Sequence, residues 1–273
     1  MILLGRAYTD IICLNEITLK PNLSEYSSKI IQRYGGIIHV INLLKNNDHL
    51  ILVGDISTLQ YIKKHTVAKI SHFNEKNIKC TILNLEGYHS RISIIDNSVT
   101  QRLSPLECVK AGEKKLVLVN YYLESIPVDL GEFVSVNNLA LDQLLTISIF
   151  NGGLGLIDES LLKNNYLFSK ILITSHEGYR VLKKLNLSND DVIKVIHSPK
   201  NFIIKNNYKT IEIKNKNYMP NKYKAVIGAG DLFSILICNI LESKIKDYEL
   251  SLDIVVDAAE TASETIVGFL DEL

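Results

Sequence analysis

Short apolar runs with β-type composition alternate with stretches of helical spacing over most of the chain, the pattern of a layered α/β domain built on a mainly parallel sheet. MILLGRA opens as a buried strand. HLILVGD is another, followed by STLQYIKKH as a helix. IICLNEI and SSKIIQRY read as shorter, half-exposed strands, and YGGIIHVINLLKNN as a glycine pair leading into helical spacing. IKCTILNLE and SRISIID form a further extended pair. Those four extended pieces break the βα alternation, which assigns them to a small separate sheet.

From residue 115 onward the alternation is regular. KLVLVNYY and GEFVSVN read as strands, LALDQLLTISIF as a helix, GLGLID and KILITS as strands, and HEGYRVLKKLN as a helix. DVIKVIHS, NFIIKNN and KTIEIK follow as consecutive strands, expected to be antiparallel at one edge. DIVVDAAETASETIVGFL closes the chain as an alanine-rich helix. With no internal repeat and no dividing linker, residues 1–273 are expected to form a single domain.

Composition narrows the partners. The 30 basic and 30 acidic residues cancel, which speaks against nucleic acid or an anionic membrane as the main partner. A hydrophobic content of 47% fits a globular core, and no apolar run reaches the roughly 18 residues of a membrane span. MILLGRAYTD lacks the basic flank and length of a signal peptide, so the expected location is cytoplasmic. Cys13, Cys80, Cys108 and Cys238 are far apart among apolar residues, which excludes a CxxC site and reads as reduced core thiols. The sequons at Asn22 and Asn186 then carry no weight. His39, His49, His65, His72, His89, His176 and His197 show no metal-ligand spacing and read mostly as surface or loop residues.

Residues 225–241 read AVIGAGDLFSILICNIL, and in residues 227–241 the one charged side chain is Asp231. Two glycines around an alanine allow several main-chain N–H groups to point into one concavity, and the following helix adds its partial positive end. That is an anion site needing no basic side chain. An acid at the same point has two available jobs: capping the helix, or taking a proton from a hydroxyl nucleophile beside a bound phosphate.

GAGDLF entering an apolar helix resembles the signature of the ribokinase-like carbohydrate kinases, the phosphofructokinase B family. GRAYTD resembles that family's first strand, ending in Asp10; YGGIIHVINLL its paired-glycine motif; VGD at residues 53–55 its next strand end; and SRISIIDNSVTQR its lid hairpin. GLGLIDESLL resembles the strand ending in an acid, here Asp158, ILITSHEGYRVL the segment with Asn-x-x-Glu, and AAETASETIV the last helix. The resemblance implies a three-layer ribokinase-like α/β fold, with a mainly parallel central sheet and a small β-sheet lid from about residues 11–34 and 79–103. It also implies transfer of the γ-phosphoryl group of ATP to a hydroxymethyl group of a sugar-like or nucleoside small molecule, with Mg2+ held largely through water.

On that resemblance Asp231 is the catalytic base, and the amides of Gly228, Ala229 and Gly230 form the anion hole. Asp10, Gly35 and Gly36 hold the acceptor. His197, Ser198 and Lys200 fall at the nucleotide, and Glu177 at the magnesium waters. The small sheet often makes a dimer contact in that family, so a homodimer through the lid is the expected assembly.

Four departures surround the pockets. Ala225 and Val226 replace an Asp-Thr pair and supply no side-chain oxygen for a monovalent cation; Val40 stands where a sugar-binding asparagine is expected, with His39 and Asn42 read as packed helix residues. Glu177 is displaced by one position, and IHSPKN lacks both glycines of Thr-x-Gly-x-x-Gly. The alternative expectation is therefore a catalytically degenerate binding or regulatory protein on the same fold.

Overall fold

The computed structural model describes residues 1–17, 30–75, 79–85, 91–95, 115–121, 144–150, 169–185, 192–216, 228–245 and 249–270. Strand β1 (Ile2–Ile17) runs in parallel beside β3 (His49–Gly54) on one flank and β7 (Lys115–Tyr121) on the other. Beyond β3 lies β4 (Lys69–Glu75). Beyond β7 come β8 (Leu144–Phe150), β9 (Ile171–Ser175) and β10 (Ile193–His197), all parallel. The antiparallel strands β11 (Asn201–Lys205) and β12 (Thr210–Lys214) finish that edge, as the three consecutive β-runs predict.

The continuous apolar runs follow from burial on both faces of this sheet. Leu116, Leu118, Ile171 and Ile173 point into the larger core, whereas Leu172 packs with Val181, Leu182 and Val192 in a second cluster. Helix α2 (His176–Lys184) covers that second face. Helices α3 (Ala229–Lys244) and α4 (Leu252–Leu270) pack on each other over the first, together with a 3-10 segment, Ile37–Leu43. Helix α1 (Ile56–His65) lies beside the 3-10 segment, its start capped by Asp55, which accepts a 2.7 Å bond from the Thr58 amide. The far end of α3 is tied down by Glu242, whose carboxylate accepts from the Met1 ammonium and the Lys45 ammonium. Burial opposes ionisation of Glu242, but those two hydrogen-bonded cations outweigh it and hold the carboxyl below its ordinary range.

β1 belongs to two sheets. Past Arg6 it leaves the central sheet and pairs with β2 (Ile30–Gly36) and β5 (Lys79–Leu85), with β6 (Arg91–Ile95) on the outer side of β5. These are the segments that broke the βα alternation, and they form the second, small sheet. MILLGRA and IICLNEI are thus one strand rather than two.

Two other expectations are corrected and one strand is added. LLTISIF is strand β8, not part of a helix: it lies between two parallel neighbours, and the alternation of Thr146 and Ser148 with apolar residues is a strand period that the helical spacing of LALDQLL overlaps. Lys69–Glu75 is an edge strand that carries too few apolar residues to announce itself. The histidines are mostly in regular elements: His49, His72 and His197 on strands, His39 in the 3-10 segment, His65 and His176 at helix ends. GEFVSVN, GLGLID with Asp158, Ala225, Val226, His89, Cys108 and residues 96–103 lie outside the described residues.

Candidate active site

The strand order reverses at β1, which has β3 on one side and β7 on the other, and the carboxyl ends of the strands at such a reversal leave a crevice. Into this edge the chain brings residues that are more than two hundred positions apart. Arg6, Tyr8 and Asp10 alternate along one face of β1 as it crosses from the central sheet to the small one. Asp10 is only 2% exposed. Its register partner on β2 is Arg33, whose Nε lies 3.9 Å from Asp10 Oδ2.

The glycine pair is explained by crowding. A Cβ at Gly35 would sit 2.5 Å from Asp10 Oδ2 and 2.8 Å from the Tyr8 ring, so any other residue there would displace the carboxylate. Gly36 has φ of 67° and its Cβ would meet the Arg6 carbonyl oxygen at 2.1 Å. The pair holds the 3-10 segment against β1, and Val40 faces the core. His39 does not. Its ring lies 3.9 Å, Nε2 to Oδ2, from Asp10, and the adjoining Cγ–Cδ2 edge lies against Gly228.

Gly228 is the N-cap of α3, left-handed at φ 89°, and a Cβ on it would strike the His39 ring at 2.8 Å. The helix begins at Ala229, with its first bond from the Leu232 amide to the Gly228 carbonyl at 2.9 Å. The amides of Ala229, Gly230 and Asp231 therefore have no acceptor within the helix. Asp231 is not the capping residue. It is the third residue of the first turn, 2% exposed, at the positive end of the helix, where an anion is favoured.

On the other side of the turn stands His197, the last residue of β10. A Cβ on Gly230 would be 3.4 Å from His197 Cε1 and 3.8 Å from Nε2. The ring is held by Phe233, centroid to centroid 5.6 Å, and its Nε2 is buried with no hydrogen-bond partner among the described residues. Burial, with a smaller push from His176, lowers this imidazole to about 4, so it is neutral at pH 7.

The structure thus brings together Asp10, Gly35 and Gly36 with Gly228, Ala229, Gly230 and Asp231, joined by His39, and sets His197 on the far side of Gly230. Ser198 and Lys200 are placed differently. The Ser198 hydroxyl donates to Asn201 and accepts from the Lys200 and Asn201 amides, closing the turn between β10 and β11, and Lys200 is exposed. Glu177 is exposed in the first turn of α2, two residues after Ser175, which pairs with His197 across β9 and β10. Asn42 is exposed away from the cluster. His39 carried a signal that sequence reasoning set aside, its place three residues after the glycine pair; Arg33 and Tyr8 carried none, because only strand pairing brings them to Asp10.

Among the described residues no group of three or more His, Cys, Asp and Glu side chains is placed to hold a metal, whereas Glu177 is a free-standing carboxylate at the same sheet edge as the anion turn.

No protein-family model matches the chain, and no curated protein sequence matches it. Solved structures do. The nucleoside kinase of Methanocaldococcus jannaschii, an archaeal member of the ribokinase family, is 17% identical with a TM-score of 0.68, covering 100% of this chain and 98% of its own. Ribokinase from Cryptococcus neoformans var. grubii serotype A, in complex with ADP, is 14% identical at TM-score 0.68, over 97% of this chain and 91% of that one. The nucleoside kinase of Burkholderia thailandensis in complex with inosine is 15% identical at TM-score 0.64, over 97% and 88%. The chain has the ribokinase-like fold, a parallel-rich sheet with a second small sheet, carried by a widely diverged sequence. No helix of the described residues is long and apolar enough to cross a membrane.

Proposed function

We propose that the protein is an ATP-dependent kinase that phosphorylates a hydroxymethyl group of a sugar-like or nucleoside small molecule. The observation that carries this reading is the placement of two buried carboxylates, Asp10 and Asp231, at one sheet edge, linked by His39, which lies 3.9 Å from Asp10 and rests on the glycine turn that opens α3. Solved structures of this fold that hold ADP or inosine support the choice of a phosphoryl donor and a polyhydroxylated acceptor.

In this mechanism Asp10 accepts hydrogen bonds from acceptor hydroxyls and fixes the reacting one toward the turn. The Asp231 carboxylate removes its proton; the oxygen then bonds to the γ-phosphorus as the bond from phosphorus to the β,γ-bridging oxygen breaks, leaving ADP. The amides of Gly228, Ala229 and Gly230 hold the charge on the transferring group, and they need no reorganisation because the helix fixes them. Burial of Asp231 keeps water from competing with the acceptor. Mg2+, held through water near Glu177, would neutralise charge on the donor phosphates. The small sheet is the lid. Exposed Ile30 and Ile31 on β2 support a homodimer through it, with a two-fold mass in light scattering as the expected result.

The test is transfer of radiolabelled phosphate from ATP to a panel of sugars and nucleosides. Asp231→Asn should lower kcat by about three orders of magnitude or more with the unfolding midpoint unchanged. Ligand binding without transfer across the panel, and an Asp231→Asn variant indistinguishable from the parent, would favour a binding or regulatory protein instead.

A further inference from the structure

We infer that His39 is a positioning residue that couples the two halves of the site: it transmits the state of the Asp10 carboxylate to the glycine turn that opens α3. This rests on the phosphotransfer reading, in which Asp10 meets the acceptor and the turn meets the donor phosphate, and it names the group that makes one answer to the other.

Confinement carries the inference. Gly35, Asp10, His39 and Gly228 stand in file, and both ends are glycines because the middle members leave no room for a side chain. A Cβ on Gly35 would lie 2.5 Å from Asp10 Oδ2, and one on Gly228 would lie 2.8 Å from both Cγ and Cδ2 of His39. Between carboxylate and ring, Nε2 is 3.9 Å from Oδ2. That gap exceeds a hydrogen bond, and a shift of about 1 Å by either group closes it. The ring has little room to evade such a shift. Its side chain is 7% exposed, and Ile37, Ile38, Val40 and Ile41 fix the 3-10 segment in the main core. Close-packed groups pass a displacement on rather than absorb it.

The direction of transmission follows from what each end holds. Where the Asp10 carboxylate sits, and whether it is charged, sets the position of Nε2. The same rigid ring bears through its Cγ–Cδ2 edge on Gly228, whose left-handed φ of 89° orients the first amides of α3. The other polar side chain of the segment, Asn42, is exposed and turned away, so His39 is the member of the segment that reaches both ends. Coupling of this kind is reciprocal: a change at Asp10 alters binding at the turn, and binding at the turn alters Asp10.

The experiment is a double-mutant cycle read by calorimetric titration of the whole protein with ADP, which needs no knowledge of the acceptor. Asp10→Asn removes the charge at nearly constant shape, and it is introduced into the parent, His39→Ala, His39→Leu and His39→Gln. Direct effects of the lost charge on ADP cancel in the cycle. The effect of Asp10→Asn on the ADP dissociation constant should differ by about fivefold or more between the parent and His39→Ala. His39→Leu keeps bulk against Gly228 without a polar atom and should match His39→Ala, which covers a failure of the smaller variant to fold. His39→Gln places an amide nitrogen near the position of Nε2 and should restore the response of the parent. An equal effect of Asp10→Asn in every background would overturn the role of His39 and leave the kinase reading standing. Failure of the parent to bind ADP at millimolar concentration would remove both.

Discussion

Gly228→Ala isolates what the geometry of the turn requires. The residue sits at φ 89°, where a Cβ costs about 1–2 kcal/mol. That Cβ would also lie 2.8 Å from two atoms of the His39 ring, and pushing the ring off its rotamer adds roughly 0.5–1.5 kcal/mol. Alanine restricts the unfolded chain and returns about 0.4–1 kcal/mol. The net expectation is a loss of about 1–2 kcal/mol, read as a drop in the urea midpoint by far-UV circular dichroism. At an m-value of about 3 kcal/mol/M the drop is on the order of 0.5 M. The steric part is separable. In a His39→Ala background the ring contacts vanish and only the His39 Cβ remains, 3.2 Å from the added methyl, so the same substitution should cost about 1 kcal/mol less. Strict additivity of the two substitutions, or a neutral Gly228→Ala, would refute the placement of His39 against the turn.

Gly35→Ala acts through Asp10. Its Cβ would lie 2.5 Å from Oδ2, so the carboxylate must swing away; KM for the acceptor should rise by about tenfold or more while ADP affinity, measured by calorimetry, stays constant. The pH dependence of stability tests His197 in a separate way. Its folded value of about 4 lies below the ordinary 6.5, so the unfolded chain binds the proton first. The stabilisation is fully present above pH 6.5 and declines as pH falls toward 4, by at most about 3 kcal/mol. Urea midpoints of the parent and His197→Gln should therefore converge on acidification. A constant difference would mean that the imidazole is not desolvated.

Local chemistry made much of this protein legible without coordinates. Strands read as apolar runs because the central sheet is covered on both faces, by α2 on one side and α3 with α4 on the other. β8 is obscured in the sequence by the helical spacing of LALDQLL ahead of it, which joins it into one longer run. The four pieces assigned to a small sheet stood out because they break the βα alternation, and they form a second sheet around the distal half of β1. GAGD marked a glycine turn opening a helix, since glycine flexibility and a helix start act within a few residues of one another.

What lay beyond the sequence is everything that depends on parallel crossovers. The sequence places Asp231 at the mouth of its helix, and only the backbone, left-handed at Gly228, shows it to be inside the first turn. His39 looked like one more packed position in a short helix until α3 arrived against it from the other end of the chain. His197, Arg33 and Tyr8 join the site through strand register and close packing, which bring distant residues within a few ångströms and leave no trace in local spacing. The sequence alone determined most of the elements and the glycine turn that opens α3, because propensity and periodicity are short-range. The tertiary structure decided which side chains border that turn, because adjacency across a sheet edge is set by topology.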